Sequence, residues 1–312
     1  MSELRDSCFP ELRVFDSPDL LVEAAARTMC AELARLSTGA EALEKSAGPA
    51  ALRTGPEVHE QSTGPVALST GFELHEKSAG HAELRTGVKV HEQSTGPAAL
   101  STERVSIAIA GGFVSHKLLP RFRDFAEGID WNRIDVFWVD ERFVAAEDPD
   151  RNDAEAMRAL FNECEGVRLH PMPSDEGQSL EDAVARATSQ WRDITGGAAF
   201  DLVILGMGPD GHIASLFPGR PLHEDRPLYA LHDSPKPPAR RITFSLPLLR
   251  ASKRIHLIAA GEAKAEALAR VLAENEELKH NQSTPTDSLL PAARVLSDSS
   301  LVWADSEAAA LI

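Results

Sequence analysis

The sequence has few cysteines, no long apolar run and no surplus of positive charge, and each shortage removes a class of protein. Cys8, Cys30 and Cys164 are the three cysteines of 312 residues and share no metal-type spacing. Neither a disulfide framework nor a thiolate metal site is expected, and reduced thiols in the cytoplasm are. No stretch of 18 apolar residues exists, so no membrane span is expected. The opening MSELRDSCFPELR is charged and has no apolar core, so no secretory signal is expected. Lys and Arg number 32 against 48 Asp and Glu, a net charge of −16. A nucleic-acid binder is thereby excluded, because phosphate backbones need a basic face. A small anionic substrate is not, since a few local cations and N–H groups can hold one phosphate whatever the global charge. What the chain does have is a hydrophobic fraction of 43%, enough for a sizeable core. At about 100–200 residues per domain its length suits one large domain or two small ones.

Residues 39–102 are unlike the rest. At a period of 16 they read EKSAGPAALRTGPEVH (44–59), EQSTGPVALSTGFELH (60–75), EKSAGHAELRTGVKVH (76–91) and EQSTGPAALST (92–102). Leu36-Ser37-Thr38 recurs as Leu100-Ser101-Thr102, an offset of 64, or four periods. Each full unit carries two Gly and few large apolar side chains, so it can bury little surface. A loosely ordered insertion in a surface loop is expected, with residues 1–38 and 103–312 forming a single α/β domain. His59, His75 and His91 recur with the period, but no Cys or paired carboxylate joins them at ligand spacing, so no metal site is expected.

Outside the repeat, apolar β-branched runs alternate with helical patterns. LRVF (12–15), VSIAIA (105–110), IDVFWVD (134–140), FDLVILGMG (200–208), RITFSLP (241–247), RIHLIAA (254–260) and LVWA (301–304) read as strands. Ser17-Pro18 opens a helix reaching about Leu36, a hydroxyl cap followed by Pro at the first helical position. Further helices are expected over about 116–127, 153–162, 178–192 and 262–274. This alternation predicts an open, mostly parallel, Rossmann-like sheet with helices on both faces. In such sheets the site lies beyond the carboxyl ends of the strands. Gly111-Gly112, Asp140-Glu141-Arg142 and the loop from Gly206 through Gly208 and Gly211 to His212 all fall there.

The segment GMGPDGHIASLFPG (206–219) puts Asp210 two residues before His212 in a glycine-rich turn. An imidazole can take a proton from water near neutral pH, and a nearby carboxylate can fix its tautomer. A dinucleotide site would need an acidic residue after a second strand, and that pattern is absent.

DLVILGMGPDGHIASLFPG resembles the signature of the 6-phosphogluconolactonases. So do VFWVDERFVAAEDPDRND (136–153), DSPKPPARRITFSLPLL (233–249), GEAKAEALARVL (261–272), and LPAARV (290–295) followed by LVWADSEAA (301–309), in the same order and spacing. The resemblance covers nearly the whole chain except 39–102. It implies the open α/β fold shared with amino-sugar phosphate deaminases, a cytosolic enzyme of the oxidative pentose phosphate pathway, a sugar-phosphate lactone as substrate, and no metal or organic cofactor. It assigns His212 as the base that activates water and Asp210 as its orienting partner. It implies substrate contacts from Gly111, Gly112, Asp140, Arg142, Asn152, Gly206, Gly208, Gly211 and Ser215. It adds Lys236 and one of Arg240 and Arg241, with the choice between the arginines open. A monomer is expected.

Three departures stand out. The family's first glycine loop reads Ser-Gly-Gly-Ser-Thr-Pro, whereas here it is Ala110-Gly111-Gly112-Phe113-Val114-Ser115. Arg151 and Asp153 replace the family's Ser and Tyr beside Asn152, and Ile213 replaces Thr after the histidine. The altered loop motivates one alternative, a weakened homologue that binds a sugar phosphate. A second is an amino-sugar phosphate deaminase, whose histidine loop also resembles Gly211-His212-Ile213-Ala214. Those proteins continue Asn-Glu-Pro, and this chain reads Ser215-Leu216-Phe217-Pro218.

Overall fold

The computed structural model describes residues 10–39, 104–280 and 288–312. The repeat, apart from Gly39, and its histidines therefore lie outside the described residues. Strand β1 (Glu11–Phe15) leads into helix α1 (Pro18–Thr38), whose first turn is capped by Ser17 accepting the Leu20 N–H at 3.3 Å. β2 (Val105–Ile109) runs through Gly111-Gly112 into a π-helical turn (Val114–Leu118) and then α2 (Leu119–Phe122). Pro120 has no N–H to give, and the wide turn, with Leu119 N–H bonded to Val114 C=O, starts this helix at the glycine loop itself. The helix ends at Phe122, short of the expected 127.

β3 (Ile134–Trp138) and β4 (Asp140–Arg142) follow, then α3 (Asn152–Ala159), β5 (Arg168–His170), α4 (Leu180–Thr195) and β6 (Leu202–Gly206). The chain continues through β7 (Leu228–Leu231), β8 (Arg241–Phe244), α5 (Leu246–Arg250), β9 (Arg254–Ala259), α6 (Ala265–His280), α7 (Pro291–Val295) and β10 (Ser300–Asp305). Seven strands form one parallel sheet in the order β1-β10-β9-β6-β2-β3-β5. Every residue of β3 and β10 is buried, so both faces of the sheet are covered.

The run 134–140, expected as one strand, is divided between two sheets. β3 stays in the parallel sheet, and β4 pairs antiparallel with β8, which pairs antiparallel with β7. That small sheet stands over the carboxyl ends of the large one and walls the site. The chain visits β2, β3 and β5 in one direction, then returns to β6 on the other side of β2 and continues to β9 and β10. The crevice at this reversal is where open α/β sheets bind ligands.

The opposite end of the sheet holds the ends of the undescribed stretch. Ser37 Oγ accepts the Asp130 N–H at 3.0 Å. Arg104 donates to Asp135 at 2.6 Å, to the Ile134 carbonyl at 2.8 Å and to the Asn132 carbonyl. Asp135 also bonds His170 at 2.7 Å. Burial pushes the Asp135 carboxyl up, but the hydrogen bonds from His170 and Arg104 outweigh it and leave it below its ordinary value. In the core, His256 is fully buried and fully partnered, with Nε2 on Glu32 at 2.9 Å and Nδ1 accepting Trp303 Nε1–H at 3.1 Å.

Candidate active site

Four strands deliver the cleft. Ala110, Gly111, Gly112 and Phe113 come from the end of β2, and Asp140 and Arg142 from β4. Gly206, Gly208 and His212 come from the loop after β6, and Ala260 and Lys264 from the segment after β9. Asn152, Lys236 and Arg241 complete a lining around about 290 Å³.

His212 sits at the centre. Its Nδ1 lies 2.5 Å from Asp210 Oδ1, and Lys236 Nζ lies 3.1 Å from the same nitrogen and 3.4 Å from Asp210. The ring stacks on Phe217 at 4.8 Å. Asp210 is the acceptor in this arrangement, so the imidazole proton belongs on Nδ1 and the Nε2 lone pair is left free. Burial pushes the imidazole's affinity for protons down, the bond and charge of Asp210 push it up, and Lys236 pushes it down again; the balance lies below the ordinary value. The free base therefore predominates at neutral pH. Burial raises Asp210, but the bond to His212 and the charges of His212 and Lys236 bring it below its usual range. Gly208 is required by contact: a Cβ there would lie 1.9 Å from His212 Nδ1. Ala214, also on the lining, is held at φ 48°, a conformation costly for a residue with a Cβ.

Asp140-Glu141-Arg142 is a strand in which each residue does a different job. Asp140 is buried, accepts Ser215 Oγ–H at 2.6 Å and lies 3.7 Å from Arg241. Glu141 is buried and takes three N–H groups, those of Arg142 at 2.8 Å, Asn152 at 2.8 Å and Asp153 at 2.9 Å. Burial pushes it up to about 7 against the pull of Arg151 and these donors. It is the side chain that caps α3, a role the sequence reading had not given it. Arg142 turns to the cleft, donates to the Asp150 carbonyl, and keeps a buried Nε with no partner.

Asn152, at the start of α3, donates to the Asp140 carbonyl at 3.0 Å. A Cβ on Gly111 would lie 1.9 Å from Asn152 Oδ1, so only glycine lets the loop pass this close.

The open choice between the two arginines is settled by strand alternation. Arg241 is 5% exposed and faces inward. It donates to the carbonyls of Pro238 at 3.1 Å, Lys236 at 3.1 Å and Pro237 at 3.0 Å, and so holds the loop that carries Lys236. Arg240 points the other way, stacked over Phe143 at 5.1 Å and paired with Asp175 at 2.5 Å, and does not reach the cleft. Gly211 and Ser215 are not on the lining either. Gly211 packs toward Leu290, and Ser215 lies behind the wall, joining Asp140 to Arg241.

Lys264 is a cleft residue that sequence reasoning missed. Burial lowers its ammonium pKa, and the Lys236 charge lowers it further. The signal was its place three residues past Gly261, beyond the carboxyl end of a buried strand, the position that had flagged the other three segments.

A cation-lined crevice at the switch point, with a carboxylate-held neutral histidine and a glycine loop, defines a small-molecule α/β enzyme acting on an anionic substrate. Comparison with known proteins narrows the class. The profile of the glucosamine-6-phosphate isomerases/6-phosphogluconolactonase family matches residues 84–303, and the chain belongs to that family. The 6-phosphogluconolactonase of Mycobacterium tuberculosis is 38% identical over 177 residues, which are 53% of this chain and 72% of that protein. That of Mycobacterium leprae is 34% identical over 221 residues, 67% of this chain and 86% of that one. The solved 6-phosphogluconolactonase of Thermotoga maritima is 27% identical, with a TM-score of 0.53 over 66% of this chain and 86% of that one. The Trypanosoma brucei structure, 18% identical, shares the fold with a TM-score of 0.62 over 97% and 99% of the two chains. Among the described residues no helix is long and apolar enough to cross a membrane.

Proposed function

We propose that this protein hydrolyses 6-phospho-D-glucono-1,5-lactone to 6-phosphogluconate, the step its relatives are named for, with His212 as the general base. The observation that carries the base assignment is the Nδ1 contact of His212 to Asp210, which leaves Nε2 as the acceptor nitrogen of a histidine that lines the cleft. Nε2 takes a proton from water as its oxygen bonds to the lactone carbonyl carbon. Lys236, the cation beside the imidazole, steadies the negative charge that collects on the carbonyl oxygen. The C1–ring-oxygen bond then breaks, and the imidazolium returns its proton to the leaving oxygen, which becomes the C5 hydroxyl. Asp210 steadies the imidazolium between the two transfers.

We assign the substrate's phosphate to the Gly111-Gly112 loop and the cleft cations Arg142 and Lys264. Lys264 is a cation held half-buried with no carboxylate bonded to it among the described residues, a poor place for a merely solvated lysine. The buried free thiols Cys30 and Cys164 suit the reducing cytoplasm.

Turnover of the lactone, generated in situ and followed through a coupled dehydrogenase, is expected to exceed spontaneous hydrolysis. A protein that adds nothing to the background while still binding 6-phosphogluconate would favour the weakened-homologue reading, for which the altered glycine loop is the specific observation. The pH profile gives a second check. The base works only unprotonated, so kcat/KM falls as pH drops through the His212 pKa, and this acid limb is expected below the ordinary histidine value of about 6.5. Lys236→Ala removes one of the influences holding that pKa down and is expected to shift the limb upward. A limb above that value in the unmodified protein contradicts the assignment.

We also propose that residues 39–102 form an insertion separate from a single catalytic domain built by 1–38 and 103–312. Both sides of the insertion are fastened at the amino ends of the strands, and the cleft is at the carboxyl ends. Deleting 39–102 is expected to leave kcat/KM within about threefold, since lengthening a loop costs only about 0.6 kcal/mol per doubling. An insoluble or inactive deletion protein would contradict this.

A further inference from the structure

We propose that Glu155 is an internal anion that competes with the substrate's phosphate for the glycine loop, and that His116 masks its charge. Together the two residues would set how strongly the cleft prefers a phosphorylated lactone to an unphosphorylated one. The proposal rests on the lactonase reading for the substrate, but the geometry stands apart from it.

Glu155 belongs to the first turn of α3, and its side chain is only 18% exposed. One carboxylate oxygen, Oε1, is sealed from solvent. Burial raises this carboxyl above its ordinary value, while the charges of His116, Arg158 and Arg142 and the nearby Gly112 N–H act the other way, which sets Gly112 and Arg142 beside it. His116, in the π-helical turn that follows the glycine loop, contacts Glu155 through Nδ1, an ion pair when the imidazole carries its second proton. Gly112 and Arg142 both line the cleft. Two of the groups that would receive a phosphate therefore already face a carboxylate of the chain itself.

Glu155 is not needed as a helix cap. Glu141 takes the Asn152 and Asp153 N–H groups, and Asp153 takes that of Ala154 at 2.6 Å. Nor does its own helix supply a reason for burial, since a first-turn acid gains its helix-dipole benefit while fully solvated. Its contacts run instead to the loop after β2 and to the helix behind it. The loop lacks hydroxyl side chains at Phe113 and Val114, and the Glu155 carboxylate is a side-chain oxygen group acting on its Gly112 N–H. Oxygen supplied this way carries a charge of the substrate's sign. Like charges a few ångströms apart in a part-buried cleft repel strongly, and removing one changes anion affinity measurably.

The test is titration calorimetry on the full chain with three probes: inorganic phosphate, 6-phosphogluconate and gluconate. Glu155→Gln keeps the side-chain shape and an oxygen for the Gly112 N–H while removing the charge. It is expected to bind phosphate and 6-phosphogluconate at least about fivefold more tightly, with gluconate shifted less than about twofold. His116→Asn unmasks the carboxylate and is expected to weaken both phosphorylated probes by about threefold. In the double variant the His116 effect disappears, because the charge it masks is gone. A bracing role for Glu155 gives the opposite pattern, with every probe weakened by Glu155→Gln. That result, or unchanged phosphate affinity, overturns the proposal. Phosphate affinity is read without turnover, so a failed lactone assay on the unmodified protein would sink the lactonase reading separately.

Discussion

Replacing His212 by Ala is expected to lower kcat/KM for lactone hydrolysis by about 10²–10⁴, the usual worth of a positioned general base. The reason is local. The imidazole is the one group in the cleft that is held at the right protonation state by burial and by Lys236, and at the right tautomer by Asp210. Alanine removes the acceptor but leaves Lys236, Arg142, Lys264 and the glycine loop in place, so binding of 6-phosphogluconate is expected to survive. The decisive comparison is therefore between two numbers for one variant, rate by coupled assay and affinity by calorimetry. Loss of rate with affinity kept supports the base. A variant that retains activity within about tenfold rules His212 out as the proton acceptor.

The second large effect concerns an arginine that need never touch substrate. Arg241→Ala is expected to cost about 3–5 kcal/mol of stability, the range for removing one partner of a buried ion pair. Asp140 would keep the Ser215 hydroxyl at 2.6 Å but lose its nearby cation. The carbonyls of Lys236, Pro237 and Pro238 would lose the guanidinium that gathers them. Lys236 rides on that loop, so activity is expected to fall with stability. Arg240→Ala is the control. Its side chain is half-exposed and turned to Asp175, and its loss is expected to leave the denaturation midpoint nearly where it was. Equal losses from the two variants would mean that the inward and outward assignments are wrong.

Six of the seven strands of the large sheet were legible because they are apolar runs ending at a glycine or a carboxylate, whereas β5, three residues with one apolar side chain, was not. Of the second sheet only β8 was legible, as the run 241–247, and it ends at Phe244 because Leu246-Pro247 opens a helix. β4 and β7 are three and four residues, and no periodicity can be read over that length. Asp140-Glu141-Arg142 could be placed at a strand's end but not divided into an orienting acid, a helix cap and a cleft cation, since that depends on which backbone comes to meet them.

The pair Arg240-Arg241 shows the same limit in small. Alternation guarantees that neighbours face apart, but the parity is fixed only when Arg241 aligns with Arg142 across β4 and β8. Lys264 and Glu155 look like ordinary charges in the first turn of a helix. Their chemistry comes from groups brought in by other loops, Lys236 and Asp210 for Lys264 and the Gly112 loop for Glu155, and local sequence carries no trace of that.

The way both flanks of the insertion are fastened gives that stretch an evolutionary freedom that the rest of the chain lacks. Ser37 and Arg104 are tied to the same short segment, Asp130 to Asp135, by bonds that do not involve anything between them. Units of 16 residues can be gained or lost by slippage in whole copies, and the ends stay where they are. On the proposed reading of 39–102 as an insertion, copy number at this position is free to drift as a length polymorphism that selection on catalysis does not see.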